Sequence, residues 1–208
     1  TVKSVTTKSH EDGKLVSSIT KRPDDTIIRE VKYDENQKPS ETKRYNSKNE
    51  LKSATKIEYD SNGQIQKMST SRPDGTIKRE VNFDANQKPV NITRYNNKGE
   101  FKSKTDIERD GDVRSKKTTV DANDQLIKEI EYDDQGKAER ITEYDENGQV
   151  KTITTNIREE GKLTQTQTKR ADNTLKREVR YNSDGQPTTE KRFAKDGTSE
   201  IFRKRYKY

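Results

Sequence analysis

The chain contains no cysteine and no tryptophan, and it has one histidine and one methionine. Without cysteine there is no disulfide framework, no thiolate nucleophile and no cysteine-based zinc site. Absence of cysteine also suits a secreted bacterial protein. The lone histidine, His10, would have to serve any Ser-His-Asp triad. It sits near the N-terminus in an expected turn, where nothing holds an imidazole in place, so it reads as an ordinary turn residue. Only 24% of the 208 residues are hydrophobic and 39% are charged, with four phenylalanines. That is too little apolar matter for a sandwich or a globular barrel, and by composition alone it is the signature of disorder. No stretch has the length and apolarity of a membrane-spanning helix or reads as a signal peptide, so any targeting signal is expected to have been removed.

What is present is regular. A turn pattern recurs about every 12 residues: an aromatic or apolar residue, a short polar segment, then an apolar residue six positions on. Tyr144-Asp-Glu-Asn-Gly-Gln-Val150 is the clearest copy, and Tyr59 to Ile65, Tyr95 to Phe101 and Tyr132 to Ala138 repeat it. A second form reads Arg72-Pro-Asp-Gly-Thr76, with relatives at residues 22–26 and 170–174. Each fits a three-residue hairpin loop. The first two loop residues suit a type I turn, and glycine takes the left-handed position that closes it. Asp145 and Gln149 then flank one such loop, and Tyr144 and Val150 form the next cross-strand pair. Asn36, Asn49, Asn86 and Asn173 are expected where glycine is otherwise found, since asparagine tolerates positive φ; Asp25 and Asp124 are weaker substitutes.

Between turns the sequence alternates with period two. One face takes Ile27, Arg29, Val31 and Tyr33, and the same pattern returns at Ile77, Arg79, Val81 and Phe83. It returns again at Leu126, Lys128, Ile130 and Tyr132 and at Leu175, Arg177, Val179 and Tyr181. This predicts roughly 17 consecutive antiparallel strands and no helix. The four strands lie 49 or 50 residues apart, so the hairpins nest in a longer repeat. The expected organisation is one array, residues 1–208: a partial repeat 1–21, repeats 22–71, 72–120 and 121–169, and an incomplete repeat 170–208. Val2-Lys-Ser matches Leu51-Lys-Ser and Phe101-Lys-Ser, so the chain opens inside a repeat. A fragment or mature form of a longer array is expected.

Such strands cannot build a second layer. The expected fold class is all-β: an elongated antiparallel meander, single-layer or solenoid-like. Ladder hydrogen bonds and cross-strand pairs of ~0.2–1 kcal/mol would hold it together. Lys, Arg and Glu stems would cover the few apolar groups. At ~4.8 Å per strand an uncurled sheet would span roughly 80 Å.

Lys/Glu/Thr-rich strands joined by turns such as Tyr95-Asn-Asn-Lys-Gly-Glu-Phe101 and Arg72-Pro-Asp-Gly-Thr76 resemble the free-standing sheet of the spirochaete outer surface protein A family. The aromatic-Asp-x-x-Gly turns also resemble the YD repeats of bacterial Rhs proteins and the hairpin repeats of YwqK-type proteins. These resemblances imply a bacterial, often surface-exposed, non-catalytic repeat module.

Candidate chemistry is sparse. The acidic turns Asp110-Gly-Asp112 and Asp121-Ala-Asn-Asp124 lack the full ligand set of a calcium loop and read as structural turns. Asn91-Ile-Thr93 fits a glycosylation acceptor by chance composition. No cofactor is expected. The charge is uneven: residues 169–208 hold 12 Lys or Arg against 6 Asp or Glu, a net +6 of the chain's total of +7. Lys191, Arg192, Arg203, Lys204, Arg205 and Lys207, with Phe202, Tyr206 and Tyr208 interleaved, form a candidate polyanion patch. The competing explanation is a solvated last strand that discourages edge pairing. The second candidate is an interaction face made by Ile27, Val31, Tyr33, Ile77, Val81, Phe83, Ile130, Tyr132, Val179 and Tyr181, unless these side chains merely clasp one another across strands.

The composite expectation is a non-enzymatic stalk or adhesive surface of a bacterial surface or secreted repeat protein, with a protein or glycan as ligand. A polyanion-binding module and a shell segment of an Rhs-like toxin are the alternatives. End-to-end self-association is a further candidate partnership.

Overall fold

Alternation and turn chemistry produce β-structure throughout. The computed structural model describes residues 3–208, and among them there are seventeen strands and no helix. Val2 of the Val2-Lys-Ser match, and the first two residues of the partial repeat, lie outside the described residues. The chain divides into two units, residues 1–104 and 105–208. The first holds β1 (Val5–Glu11), β2 (Lys14–Lys21), β3 (Ile27–Tyr33), β4 (Pro39–Tyr45), β5 (Leu51–Tyr59), β6 (Ile65–Ser71), β7 (Ile77–Phe83) and β8 (Pro89–Tyr95). The division falls inside β9 (Phe101–Asp110). The second continues with β10 (Val113–Asp121), β11 (Leu126–Tyr132), β12 (Ala138–Tyr144), β13 (Val150–Glu159), β14 (Lys162–Arg170), β15 (Leu175–Tyr181), β16 (Pro187–Phe193) and β17 (Glu200–Arg205).

Pairing is antiparallel and between consecutive strands, and within each unit a strand touches only its sequence neighbours. Each unit is therefore an open, single-layer meander, as alternation without a second apolar layer requires. The apolar centre is small. Among the described residues only Val31, Val81 and Val179 are buried hydrophobics. The other buried residues are Ser18, Ser103, Thr105, Thr142, Thr152, Glu178 and Glu190. Polar cross-strand bonds replace a core. Hydroxyl pairs join Thr6 to Thr20, Thr55 to Thr70, Thr105 to Thr119 and Thr154 to Thr168, each at 3.0–3.1 Å.

The turns follow one rule. In the three-residue loops the residue before the loop accepts at its carbonyl from the last loop residue and donates its N–H to the carbonyl after the loop, as Gly148 to Asp145 and Asp145 to Gln149 at 3.1 and 2.8 Å; before β17 the second bond reaches one residue further, from Ala194 to Ser199. Tyr144 pairs with Val150 as the spacing requires. The Asx side chain fixes this frame. Asp145 Oδ1 accepts from the Asn147 and Gln149 N–H groups, each at 2.9 Å. Asp34, Asn46, Asp60, Asp84 and Asp121 do the same in their turns. In the Arg turns the anchor moves inward, and Asp74 Oδ1 accepts from the Thr76 N–H and hydroxyl at 2.9 and 2.7 Å.

That frame corrects part of the sequence analysis. Asn49, Asn173, Asp25 and Asp124 do have positive φ. Asn36 and Asn86 do not; Gln37 (φ 60°) and Gln87 (φ 61°) take the left-handed position instead. Counting three residues from the Asx anchor, not the presence of asparagine, locates it. Three turns are tighter than expected, with two residues between strands at 12–13, 111–112 and 160–161. Asp12-Gly13 and Glu160-Gly161 have positive φ at both residues, the signature of a two-residue hairpin turn. His10 lies in β1, opposite Leu15, and not in a turn.

Each hairpin also carries an irregularity that alternation does not announce. The register shifts by one residue one pair from the three-residue loops, as between Glu143–Thr152 and Tyr144–Val150, and two pairs from the two-residue turns of β1–β2 and β13–β14. The outgoing strand holds the extra residue, a bulge that increases local twist.

Candidate functional site

The register decides which of the C-terminal cations meet. Lys191 faces Arg203, and Thr189 faces Arg205, across β16 and β17. On the inner side Arg180 of β15 faces Thr189, and Glu178 faces Lys191. Cross-strand partners share a face. One face therefore carries Arg180, Lys191, Arg203 and Arg205 with Glu178. The other carries Arg177, Arg192, Phe202 and Lys204 with Glu190. The sequence made one basic-aromatic patch of these residues. The pleat sorts them instead, placing Phe202 and Lys204 opposite to Arg203 and Arg205.

The two faces differ electrostatically. On the aromatic face Glu190 Oε1 accepts from Arg177 Nε and Arg192 Nε, both at 3.0 Å, and Glu190 Oε2 accepts from the Tyr206 hydroxyl at 3.2 Å. The Arg177 hydrogen bond leads, with Arg192 and Tyr206 adding to it, and together they hold the buried carboxyl at a pKa of about 2. The remaining positive charge is covered by rings: the Arg192 guanidinium lies 4.9 Å from the Phe202 centroid and the Lys204 ammonium 4.4 Å from that of Tyr206. Little cation is left unengaged there.

The opposite face is more open. Glu200 accepts from Arg203 through two nitrogens at 2.6 Å each, and Lys191 lies 3.6 Å from the same carboxylate. Arg180 pairs with Glu178 at 3.0 Å, yet its side chain remains 62% exposed. Arg205 and Lys207 are exposed and have no acidic partner among the described residues. Gln167, one strand further in, pairs with Glu178 and so shares this face. The sequence missed Arg180, Thr189 and Gln167 as members. Counting parity outward from Val179 finds them once the strands are paired.

The candidate apolar face is arranged otherwise. In the first unit two cross-strand rows lie side by side: Val31, Thr42, Thr55, Thr70 and Arg79 form one, and Ile57, Met68, Val81 and Ile92 the other. Tyr33 and Phe83 lie two residues along on the same side. In the second unit Ile130 faces Lys117 and Ile141, and Val179 faces Thr166 and Glu190, with Tyr132 and Tyr181 two residues on. Val31 and Val179 are only 4% and 3% exposed, so neighbouring side chains cover them. Tyr33 donates or accepts at Ser18 Oγ (3.2 Å), and Tyr132 lies beneath the Arg114 guanidinium and Lys117 ammonium. Ile27 and Ile77 lie on the turn side of the register shift, where Ile77 is 39% exposed. Of this face Val31, Val81 and Val179 are buried, Ile77 is exposed and the remaining residues are half-buried.

Further tyrosines serve carboxylates. The Tyr45 hydroxyl donates to Glu30 at 2.8 Å, and Tyr95 and Tyr144 donate likewise to Glu80 and Glu129. Burial first and then Glu30 push the Tyr45 pKa up to about 12; Tyr144 follows the same order with Glu129. For Tyr95 the Glu80 hydrogen bond comes first, also to about 12. Among the described residues no three His, Cys, Asp or Glu side chains gather as metal ligands. The Asp121 carboxylate is occupied with its own turn, accepting from the Asn123 and Gln125 N–H groups.

No protein-family model matches the chain, and no curated protein is similar to it. Solved structures give faint likenesses. A mutant TarM of S. aureus in complex with Fondaparinux, alpha-GlcNAc-glycerol and UDP is 14% identical, with a TM-score of 0.32, over 59% of this chain and 21% of that one. The Tc holotoxin pore of Photorhabdus luminescens is 10% identical, with a TM-score of 0.33, over 90% and 14%. A porin-like protein from Bacteroides uniformis is 11% identical, with a TM-score of 0.38, over 94% and 91%. The chain thus spans about a fifth of TarM and about a seventh of the toxin chain. Scores this low carry neither a shared fold nor a shared function to this chain.

Proposed function

We propose that this chain is a non-catalytic structural and interaction module of a bacterial surface or secreted repeat protein. One observation supports the reading above others: within each unit a strand touches only its sequence neighbours. Both faces of each meander are then available to solvent and partners, and the enclosed, water-poor recess that acid–base or nucleophilic chemistry exploits has no second layer to build it. Stability in such an array is a sum over adjacent strands. A module of this kind extends by adding hairpins and displays long rows of charged side chains. The test is labelling of the cells that make it, with an antibody against the folded chain. Labelling of intact cells, abolished by external protease, is the expected result. Labelling that appears only after permeabilisation overturns the surface assignment.

A further inference from the structure

We infer that the Arg180, Lys191, Arg203 and Arg205 face of the second unit binds a linear sulfated polysaccharide. The inference needs the proposed surface location only so that the glycan can reach the protein. Cell labelling and binding in solution fail independently.

Three observations carry it. First, the cations form a grid and not a single row. Arg203 and Lys191 are opposed across β16 and β17, and Arg205 lies two residues along from Arg203. Arg180 lies across Thr189 from Arg205. Neighbouring strands are ~4.8 Å apart and alternate residues ~6.7 Å apart along a strand. Sulfates that project laterally from a sugar chain can meet such a grid, and the unpaired Arg205 fork can donate paired N–H groups to one.

Second, the anionic groups on this face leave charge over. Glu178 is buried at the base of the layer and is occupied by Gln165 Nε2 (2.7 Å) and Arg180. Glu200 serves Arg203 and Lys191 together. Four cations stand against these two carboxylates, and Arg205 has none. The reverse face has an equal formal surplus, but each of its cations is engaged: Arg177 and Arg192 by Glu190, and Arg192 and Lys204 by the rings of Phe202 and Tyr206.

Third, the uncharged members favour a sugar. Thr189 and Gln167 lie among the cations and have no side-chain partner among the described residues. They can hydrogen-bond ring hydroxyls. Phe202 lies on the other face, and the aromatic side chain on the cationic side, Phe193 at the end of β16, is half-buried, so this face offers little platform for stacking the bases of a single-stranded nucleic acid.

The experiment measures binding of the whole chain to heparin across a salt series. Hyaluronan (carboxylated, unsulfated), polyphosphate and a single-stranded oligonucleotide are the comparison probes. Heparin should bind, with hyaluronan at least tenfold weaker. The combined substitution Lys191→Gln, Arg203→Gln and Arg205→Gln should lower heparin affinity at least tenfold, and should reduce the slope of log affinity against log salt by about 3. A charge-matched variant of exposed arginines in the first unit, Arg29→Gln, Arg44→Gln and Arg79→Gln, should stay within about twofold of the parent. Arg205→Gln alone breaks no ion pair, so it should weaken binding two- to fivefold with the β circular dichroism spectrum intact. That keeps the inference testable if the triple variant unfolds. Equal losses in both triple variants would reduce the effect to net charge and overturn the site. Polyphosphate or oligonucleotide binding tighter than heparin would overturn the glycan assignment, and failure of heparin to bind would overturn the inference outright.

Discussion

Replacing Gln37 by glycine should stabilise the chain, whereas the same change at Asn49 should destabilise it. Both residues close a three-residue loop with left-handed backbone, φ 60° and 62°. A side chain in that region costs about 1 kcal/mol, less for asparagine, and glycine removes the cost at the expense of a more flexible unfolded chain. Gln37 is exposed and its side chain has no partner among the described residues, so only the backbone term operates there. The expected gain is about 0.5–1 kcal/mol. Asn49 has a second task. Its Oδ1 accepts from the Ile27 N–H at 2.8 Å, tying one turn to the start of a strand 22 residues earlier. Gln87 makes the same link to the Ile65 N–H at 2.9 Å. Losing such a bond costs about 0.5–1.5 kcal/mol, more than glycine returns at a position that asparagine already tolerates. Asn49→Gly should therefore lower stability by about 0.5–1 kcal/mol.

Urea denaturation followed by circular dichroism gives the two signs. Amide exchange at Ile27 gives the mechanism, since that N–H should exchange faster in Asn49→Gly and unchanged in Gln37→Gly. If Asn49→Gly raises the midpoint as much as Gln37→Gly does, or leaves Ile27 exchange untouched, the side-chain tether contributes nothing and the reasoning fails.

Glycines at the same turn position should differ by what surrounds them. A Cβ at Gly148 meets nothing within 4 Å, so Gly148→Val should cost only the strain of a φ near 73°, about 1–3 kcal/mol. A Cβ at Gly197 would lie 2.8 Å from the Leu175 backbone nitrogen, so even Gly197→Ala should lower the urea midpoint more than Gly148→Ala. Glu190 titrates near 2 when folded and near 4.5 when unfolded; its stabilisation is thus full above about pH 4.5 and is lost as the pH falls through about 2. At about 1.4 kcal/mol per pKa unit, and discounting by roughly half for water around its half-exposed arginine partners, Glu190→Gln should remove about 1–2 kcal/mol at pH 7 and flatten the acid limb of a stability–pH curve. Tyr45, Tyr95 and Tyr144 keep their protons to about 12; their stabilisation is present below pH 10 and lost as the pH rises through about 12. An ultraviolet titration should show a late phenolate fraction that shrinks in Tyr144→Phe.

The strands and most turns were legible because they rest on local chemistry. Alternation sets which residues share a face, and a loop of fixed length sets the Tyr144–Val150 pair. The left-handed position was misplaced at Asn36 and Asn86 because residue preference was allowed to outrank the frame. Asp34 and Asp84 anchor those turns through two N–H bonds each, and the glutamine that follows must accept the strain. The basic patch was legible as composition and not as geometry. Consecutive residues 202 to 205 look contiguous along the chain, yet a pleat sends neighbours to opposite faces. Glu190 was invisible as the organiser of one face because its partners Arg177 and Tyr206 come from two other segments.

Polar pairs carry the stability that apolar layers supply elsewhere, and their substitution pattern along the repeat shows how closely they are coupled. Tyr45, Tyr95 and Tyr144 each donate to a glutamate, Glu30, Glu80 and Glu129, on the preceding strand. The fourth copy has Phe193 at the tyrosine position, with no hydroxyl to offer. Its glutamate, Glu178, is not left unsatisfied: Gln165 and Arg180 take the place of the missing donor at 2.7 and 3.0 Å. A buried carboxylate without donors would be costly, so loss of one partner has to be met by another. The same logic governs Ser18 and Tyr33, whose hydroxyls meet at 3.2 Å; fifty residues on, Met68 and Phe83 occupy those two positions and both hydroxyls are gone. Among the described residues no buried side-chain nitrogen or oxygen lacks a partner. A sheet with so few buried apolar side chains holds its register because its buried polar groups find partners on their own or an adjacent strand.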